Sequence, residues 1–138
     1  MPAYDVFHDA VKTALIKDNW VITHDPFSLS VGDVDFYIDL GAESLLAAER
    51  GDKCIAVEIK SFLSNSLVSE FHTALGQFLN YKLALLEAKQ IRELYLAVTD
   101  DVYQVFFSKP FIQSALKHHQ IKVLVFNPEL QEIVLWIK

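Results

Sequence analysis

With 138 residues, 52% of them hydrophobic, the chain has enough material for one well-filled core, a single domain over residues 1–138, and too much apolar content for a disordered segment. A net charge of −6 argues against a broad basic surface that clamps nucleic acid without regard to sequence, so any contact with DNA is expected to be local, metal-assisted or partner-assisted. The lone Cys54 excludes an intrachain disulfide and a cysteine metal cluster, and no apolar run approaches the ~20 residues of a membrane span.

The first residues lack the charged and apolar regions of a signal peptide, so a cytoplasmic protein without membrane contact is expected. Residues 4–18 set Phe7, Val11, Ala14 and Leu15 at helical spacing, with Asp5 and Asp9 near the positive end of the helix dipole and Asn19 as the stop. Asp9 either stands at the rim of a site or simply complements the dipole. His8 and His24 have no ligand spacing and read as solvated or core-edge residues.

Trp20-Val21-Ile22-Thr23 is a β-branched strand that His24-Asp25-Pro26 interrupts, because proline donates nothing to a ladder. After the Gly32-Asp33 turn, residues 34–40 alternate, with Phe36, Ile38 and Leu40 on one face and Asp35, Tyr37 and Asp39 on the other. Ala42 to Glu49 is expected as a short helical or irregular excursion, with Glu43 and Glu49 as spare carboxylates, before a Gly51-Asp52 turn.

Residues 54–60 form the strand of greatest chemical interest. Ile55, Val57 and Ile59 face one hydrophobic layer, while Cys54, Ala56, Glu58 and Lys60 share the opposite side. Pairing with 34–40 brings Asp39 beside Glu58, so two carboxylates and a lysine converge. Such a set can hold a divalent cation between oxygens and leave Lys60 to position or activate water. Glu-x-Lys alone is weak evidence, since the chain also holds Glu87-Ala88-Lys89 at the end of a helical pattern. An apolar strand around the first copy raises it, because a charged pair there is uncommon unless partnered or functional. A salt bridge on a strand edge is the competing reading.

Ser61 to Ser66 reads as a capping loop, and 67–88 as a long helix. Val68, Phe71, Leu75, Phe78, Leu79 and Leu86 are its expected apolar face, with Gly76 allowing close approach to the sheet. Gln77 and Tyr81, four apart, share one side of that helix and reach toward the site or pack half-buried. Glu93 to Thr99 reads as a strand covered on both faces. Asp100-Asp101 opens a short helix through Phe107, and 111–119 continues as helix after Pro110. His118 and His119 suit that helix's C-terminus better than a metal site. Strands at 121–126 and 133–137 close an α/β fold with a mixed central sheet. High aromatic content on a small acidic chain predicts a homo-oligomer or a protein complex.

An acid on one strand, Glu-x-Lys on the next and Gln-x-x-x-Tyr on the following helix resemble the restriction-endonuclease-like superfamily, whose signature is an acid followed by (Asp/Glu)-x-Lys. Phe7-His8-Asp9-Ala10-Val11-Lys12, Tyr37-Ile38-Asp39-Leu40-Gly41-Ala42-Glu43 and Ala56-Val57-Glu58-Ile59-Lys60-Ser61-Phe62 are more closely similar to the XisH family. Ala74-Leu75-Gly76-Gln77-Phe78 and the ending Val123 to Trp136 extend the resemblance over nearly the whole chain.

The resemblance implies a restriction-endonuclease-like sheet flanked by helices. It also implies a protein that controls excision of the fdxN element, a DNA segment removed during development, alongside a site-specific recombinase and a XisI-type companion. Carried over to this chain, Asp39, Glu58 and the Ile59 carbonyl are implied ligands of Mg2+ or Mn2+. Lys60 is the implied catalytic lysine, and Gln77 and Tyr81 are supporting residues. The proline that often precedes the first acid is Ile38 here. A metal-dependent DNA endonuclease and an inactive recombination accessory module both fit this pattern.

Overall fold

The computed structural model describes residues 6–36 and 44–138. In chain order the elements are α1 (His8–Lys17), β1 (Val21–His24), β2 (Leu29–Val31), β3 (Val34–Phe36), β4 (Ser44–Arg50), β5 (Lys53–Ile59), α2 (Leu67–Glu87), β6 (Glu93–Thr99), α3 (Asp100–Val102), α4 (Pro110–His118), β7 (Lys122–Asn127) and β8 (Glu132–Ile137). A π-helical turn, Tyr103–Phe107, continues α3. No described helix is long and apolar enough to cross a membrane.

Six strands form one mixed sheet in the order β1-β4-β5-β6-β7-β8. β5, β6 and β7 run parallel, and the other neighbours are antiparallel. Parallel neighbours need crossovers, supplied here by α2 and by the α3–α4 stretch. Both crossovers step the same way across the sheet, so crossovers of one hand put their helices on one face. Phe71, Phe78 and Tyr81 of α2 and Leu116 of α4 accordingly pack in one cluster with Ala56, Leu96 and Val123. α1 covers the other face, where Val11 and Leu15 meet Ile55, Val57, Ile59 and Phe126. With both faces covered, six consecutive residues of β6, Leu94 to Thr99, are buried.

The expected pairing of 54–60 with 34–40 is not what forms. β5 pairs with β4, with Arg50 opposite Lys53, and β3 pairs with β2 in a separate two-stranded ladder, with Val31 opposite Val34. The physical reason is turn length. Gly51-Asp52 and Gly32-Asp33 each make a two-residue hairpin whose glycine holds a positive φ, +63° and +58°, so each strand pairs with its immediate neighbour. The excursion expected at Ala42 to Glu49 is therefore strand β4 from Ser44 onward. Leucine and alanine are good helix formers, but the hairpin and the β1 pairing override that preference. Residues 37–43 lie outside the described residues, and with them Asp39 and Glu43.

α2 starts where Ser66 Oγ accepts from the Ser69 N–H at 3.2 Å. Its buried stripe is Phe71, Ala74, Phe78, Tyr81, Ala84 and Leu85. Val68, Leu79 and Leu86 are exposed, and a Cβ at Gly76 would meet nothing within 4 Å, so Gly76 faces outward rather than toward the sheet. The apolar surplus blurred where the stripe is centred. Both edge strands of the sheet are bulged. Thr23 is the extra residue between Ile22 and His24 on β1, and Val134 between Ile133 and Leu135 on β8.

Candidate functional site

Glu58 and Lys60 stand at the C-terminal end of β5, the end at which the parallel strands β6 and β7 also finish. Ligands of open α/β sheets gather outside the carboxyl ends of parallel strands. Alternation puts both side chains on the α2 face of the sheet, because Ile55, Val57 and Ile59 occupy the α1 face. Glu58 is fully buried and Lys60 is 8% exposed. Their backbone is fixed by Leu45 and Leu96 opposite Glu58 and by the Lys60 N–H donating to the Ala97 carbonyl at 3.1 Å.

Withdrawing a carboxylate and an ammonium from water costs several kcal/mol per ion unless partners compensate. Glu58, Lys60, Gln77 and Tyr81 are each engaged by a partner. Tyr81 is buried in the α2-facing core and Gln77 is half-buried one turn earlier. α2 thus presents both residues on or beside its buried stripe, toward the face that carries Glu58. The Ile59 side chain lies on the opposite face, packed against α1.

The other candidates fall elsewhere. Asp9 is exposed in the first turn of α1, a helix packed on the opposite face of the sheet. Glu49 is taken by Arg92 at 3.4 Å, and Glu87 and Lys89 are exposed. Among the described residues no three or more His, Cys, Asp or Glu side chains are grouped as a metal site.

Three features at this end of the sheet escaped the sequence reading. His8, expected at the surface or core edge, is 3% exposed and its Nε2 lies 2.8 Å from Asp25 Oδ1, while Lys12 Nζ donates to Asp25 Oδ2 at 2.8 Å. Burial raises the Asp25 carboxyl, but hydrogen bonds from Lys12 and His8 and their charges outweigh it and leave Asp25 below its ordinary value. The i, i+4 pair His8 and Lys12 on a helix was the only available signal. Phe62, two residues past Lys60, holds a left-handed φ of +53° and buries its ring edge-on to Phe107 at 5.3 Å. A bulky residue rarely accepts that backbone unless packing compels it. Finally, Asn127 Nδ2 donates to Asp100 Oδ2 at 3.0 Å, tying the end of β7 to the start of α3.

The family model described as XisH protein matches residues 1–134. A crystal structure of an XisH family protein from Nostoc punctiforme PCC 73102 is 47% identical, with a TM-score of 0.89, covering 97% of this chain and 100% of that one. A crystal structure of an fdxN element excision controlling factor protein from Anabaena variabilis is 48% identical, with a TM-score of 0.88, covering 96% and 98%. No curated protein matches the chain.

Proposed function

Because the chain belongs to the XisH family, we propose that it controls or assists excision of a DNA element, as a metal-dependent endonuclease-like protein of restriction-endonuclease-like fold. The name of the Anabaena variabilis relative supports the excision half of this reading. The observation that carries the chemical half is the burial of Glu58 and Lys60 on one face of a central strand. Charges are kept in a core at the expense of stability where chemistry needs them.

The donor set suits Mg2+ or Mn2+. Glu58 and the Ile59 carbonyl are hard oxygen donors, and Asp39 would be the second carboxylate; such ions bind through one or two carboxylates and keep waters. When bound, the cation supplies Lewis acidity toward a phosphate oxygen and a water. Lys60, two residues from Glu58, would stabilise the negative charge that a phosphodiester gains. Tyr81 and Gln77 fix the α2 side of the site, and the close packing excludes bulk water, which strengthens every charge interaction there.

Nicking of supercoiled plasmid with Mn2+ tests this reading. Lys60→Ala should lose about 10²–10³ in rate, the usual loss for one electrostatic contact in a transition state, while Lys89→Ala should match wild type. Calorimetric heats of Mn2+ binding should vanish in Asp39→Ala. The acidic net charge favours a second reading, an accessory module without turnover that works with a XisI-type companion and a recombinase, as a homo-oligomer or complex. No cleavage by wild type, alone or with that companion, would leave the module as the function.

A further inference from the structure

The opposite end of β5 holds a groove of about 790 Å³. It opens beyond the N-terminal ends of the parallel strands, between Lys53 of β5, Leu94 of β6, Lys122 of β7 and the last turn of α2. Its lining on β5 ends at Ile55, three residues or roughly 10 Å of strand before Glu58, and neither Glu58 nor Lys60 lines it.

Its charge runs against the rest of the molecule. Six Lys and Arg side chains but only Asp52 and Glu93 among the acids line it, on a chain of net charge −6. Arg50 is held by Asp18 at 3.0 Å and lies over the Trp20 ring, Arg92 is held by Glu49, and Lys122 pairs with Glu93 at 3.4 Å. Lys53 and Lys82 are exposed and have no ion pair among the described residues, while exposed Lys138 lends part of its charge to Glu93. Between these lysines the wall is apolar. Phe78 and Leu94 form the floor, and Leu86 and Ile91 stand at the rim 73% and 93% exposed.

We propose that this groove docks an acidic, amphipathic segment of a partner protein, whose apolar side chains cover Leu86 and Ile91 while its carboxylates meet Lys53, Lys82 and Lys138. Charge complementarity selects the sign of the occupant. The apolar wall selects protein over nucleic acid. Phosphates reward cations and N–H donors and gain nothing from an exposed isoleucine. An amphipathic segment uses both kinds of surface, with apolar anchors inside and charges at the rim.

Fluorescence anisotropy with a labelled helical peptide carrying leucine on one face and glutamate elsewhere tests the proposal. The comparison probes are the same peptide with lysine for glutamate and a labelled DNA duplex. The glutamate peptide should bind and the lysine peptide should not. Lys53→Glu with Lys82→Glu should weaken binding about tenfold or more, as two reversed rim charges allow. Ile91→Ser should weaken it as well, and Lys109→Glu, outside the groove, should leave it unchanged. All four positions are exposed, and unchanged melting curves establish that the variants fold. Absence of binding, equal binding of the lysine peptide, or indifference to Lys53→Glu with Lys82→Glu would overturn the proposal. DNA binding that those reversals abolish, with none of the peptide, would make the groove a nucleic-acid site instead.

Discussion

Arg92 donates from its guanidinium to the main-chain carbonyl of Ile55 at 3.2 Å, reaching from the start of β6 across to β5. The same nitrogen lies 3.4 Å from the Ala48 carbonyl on β4, and the side chain is 8% exposed. One buried fork therefore ties three neighbouring strands, including the one that carries Glu58. Arg92→Ala should lower stability by about 2–4 kcal/mol, because buried carbonyls lose a charged donor and a cavity opens. Arg92→Lys should recover less than half of that, since an ammonium cannot reproduce the planar fork. Urea unfolding midpoints check both.

Glu58 and Lys60 should be a stability liability if they are retained for chemistry. Replacing both with methionine, of similar length, should raise stability by about 1–4 kcal/mol, as exchange of buried charges for apolar side chains does elsewhere. Thermal melts in chelator provide the measurement. A marked loss of stability would make these charges structural.

Asp25 predicts an acid dependence. Its carboxyl is lowered from 3.8, so its contribution is fully present above that value and is lost as pH falls through the lowered one. The stability difference between wild type and Asp25→Asn should shrink as pH falls below 3.8. Acid titrations followed by circular dichroism test the slope.

Tyr95 predicts the opposite limb. Burial first, then the charge and hydrogen bond of Glu93, push its hydroxyl from 10.0 up to about 12. The folded chain keeps a proton that the unfolded chain loses, so this contribution is present below pH 10.0 and falls away as pH rises toward 12. The stability difference between wild type and Tyr95→Phe should decline over that range. Tyrosinate absorbance of the folded protein should contain a late-titrating component that Tyr95→Phe removes.

Much of this architecture was legible from local pattern. The alternation of residues 54–60 correctly assigns Ile55, Val57 and Ile59 to one face and Glu58 to the other, because the pleat alone decides it. Ser66 and Asn19 mark helix ends as expected, Ser66 by its cap and Asn19 by a φ of +68°. Partner choice was the failure. Leu45, Leu46, Ala47 and Ala48 favour helix locally, and only the turn at Gly51 together with the waiting edges of β5 and β1 makes them a strand. His8 and Asp25 were illegible as a pair because they belong to different elements, and nothing local couples them.

The bulges at Thr23 and Val134 bear on how the protein behaves when crowded. β8 is apolar along almost its whole length, Ile133-Val134-Leu135-Trp136-Ile137, and an open edge of that composition is a template for growth by strand addition. An extra residue in each outermost strand breaks the regular spacing of donors and acceptors that an incoming chain must match. Both ends of the sheet are thereby blunted against fibre formation. Deleting Val134 would restore the repeat along β8 and convert a discrete particle into one prone to polymerise.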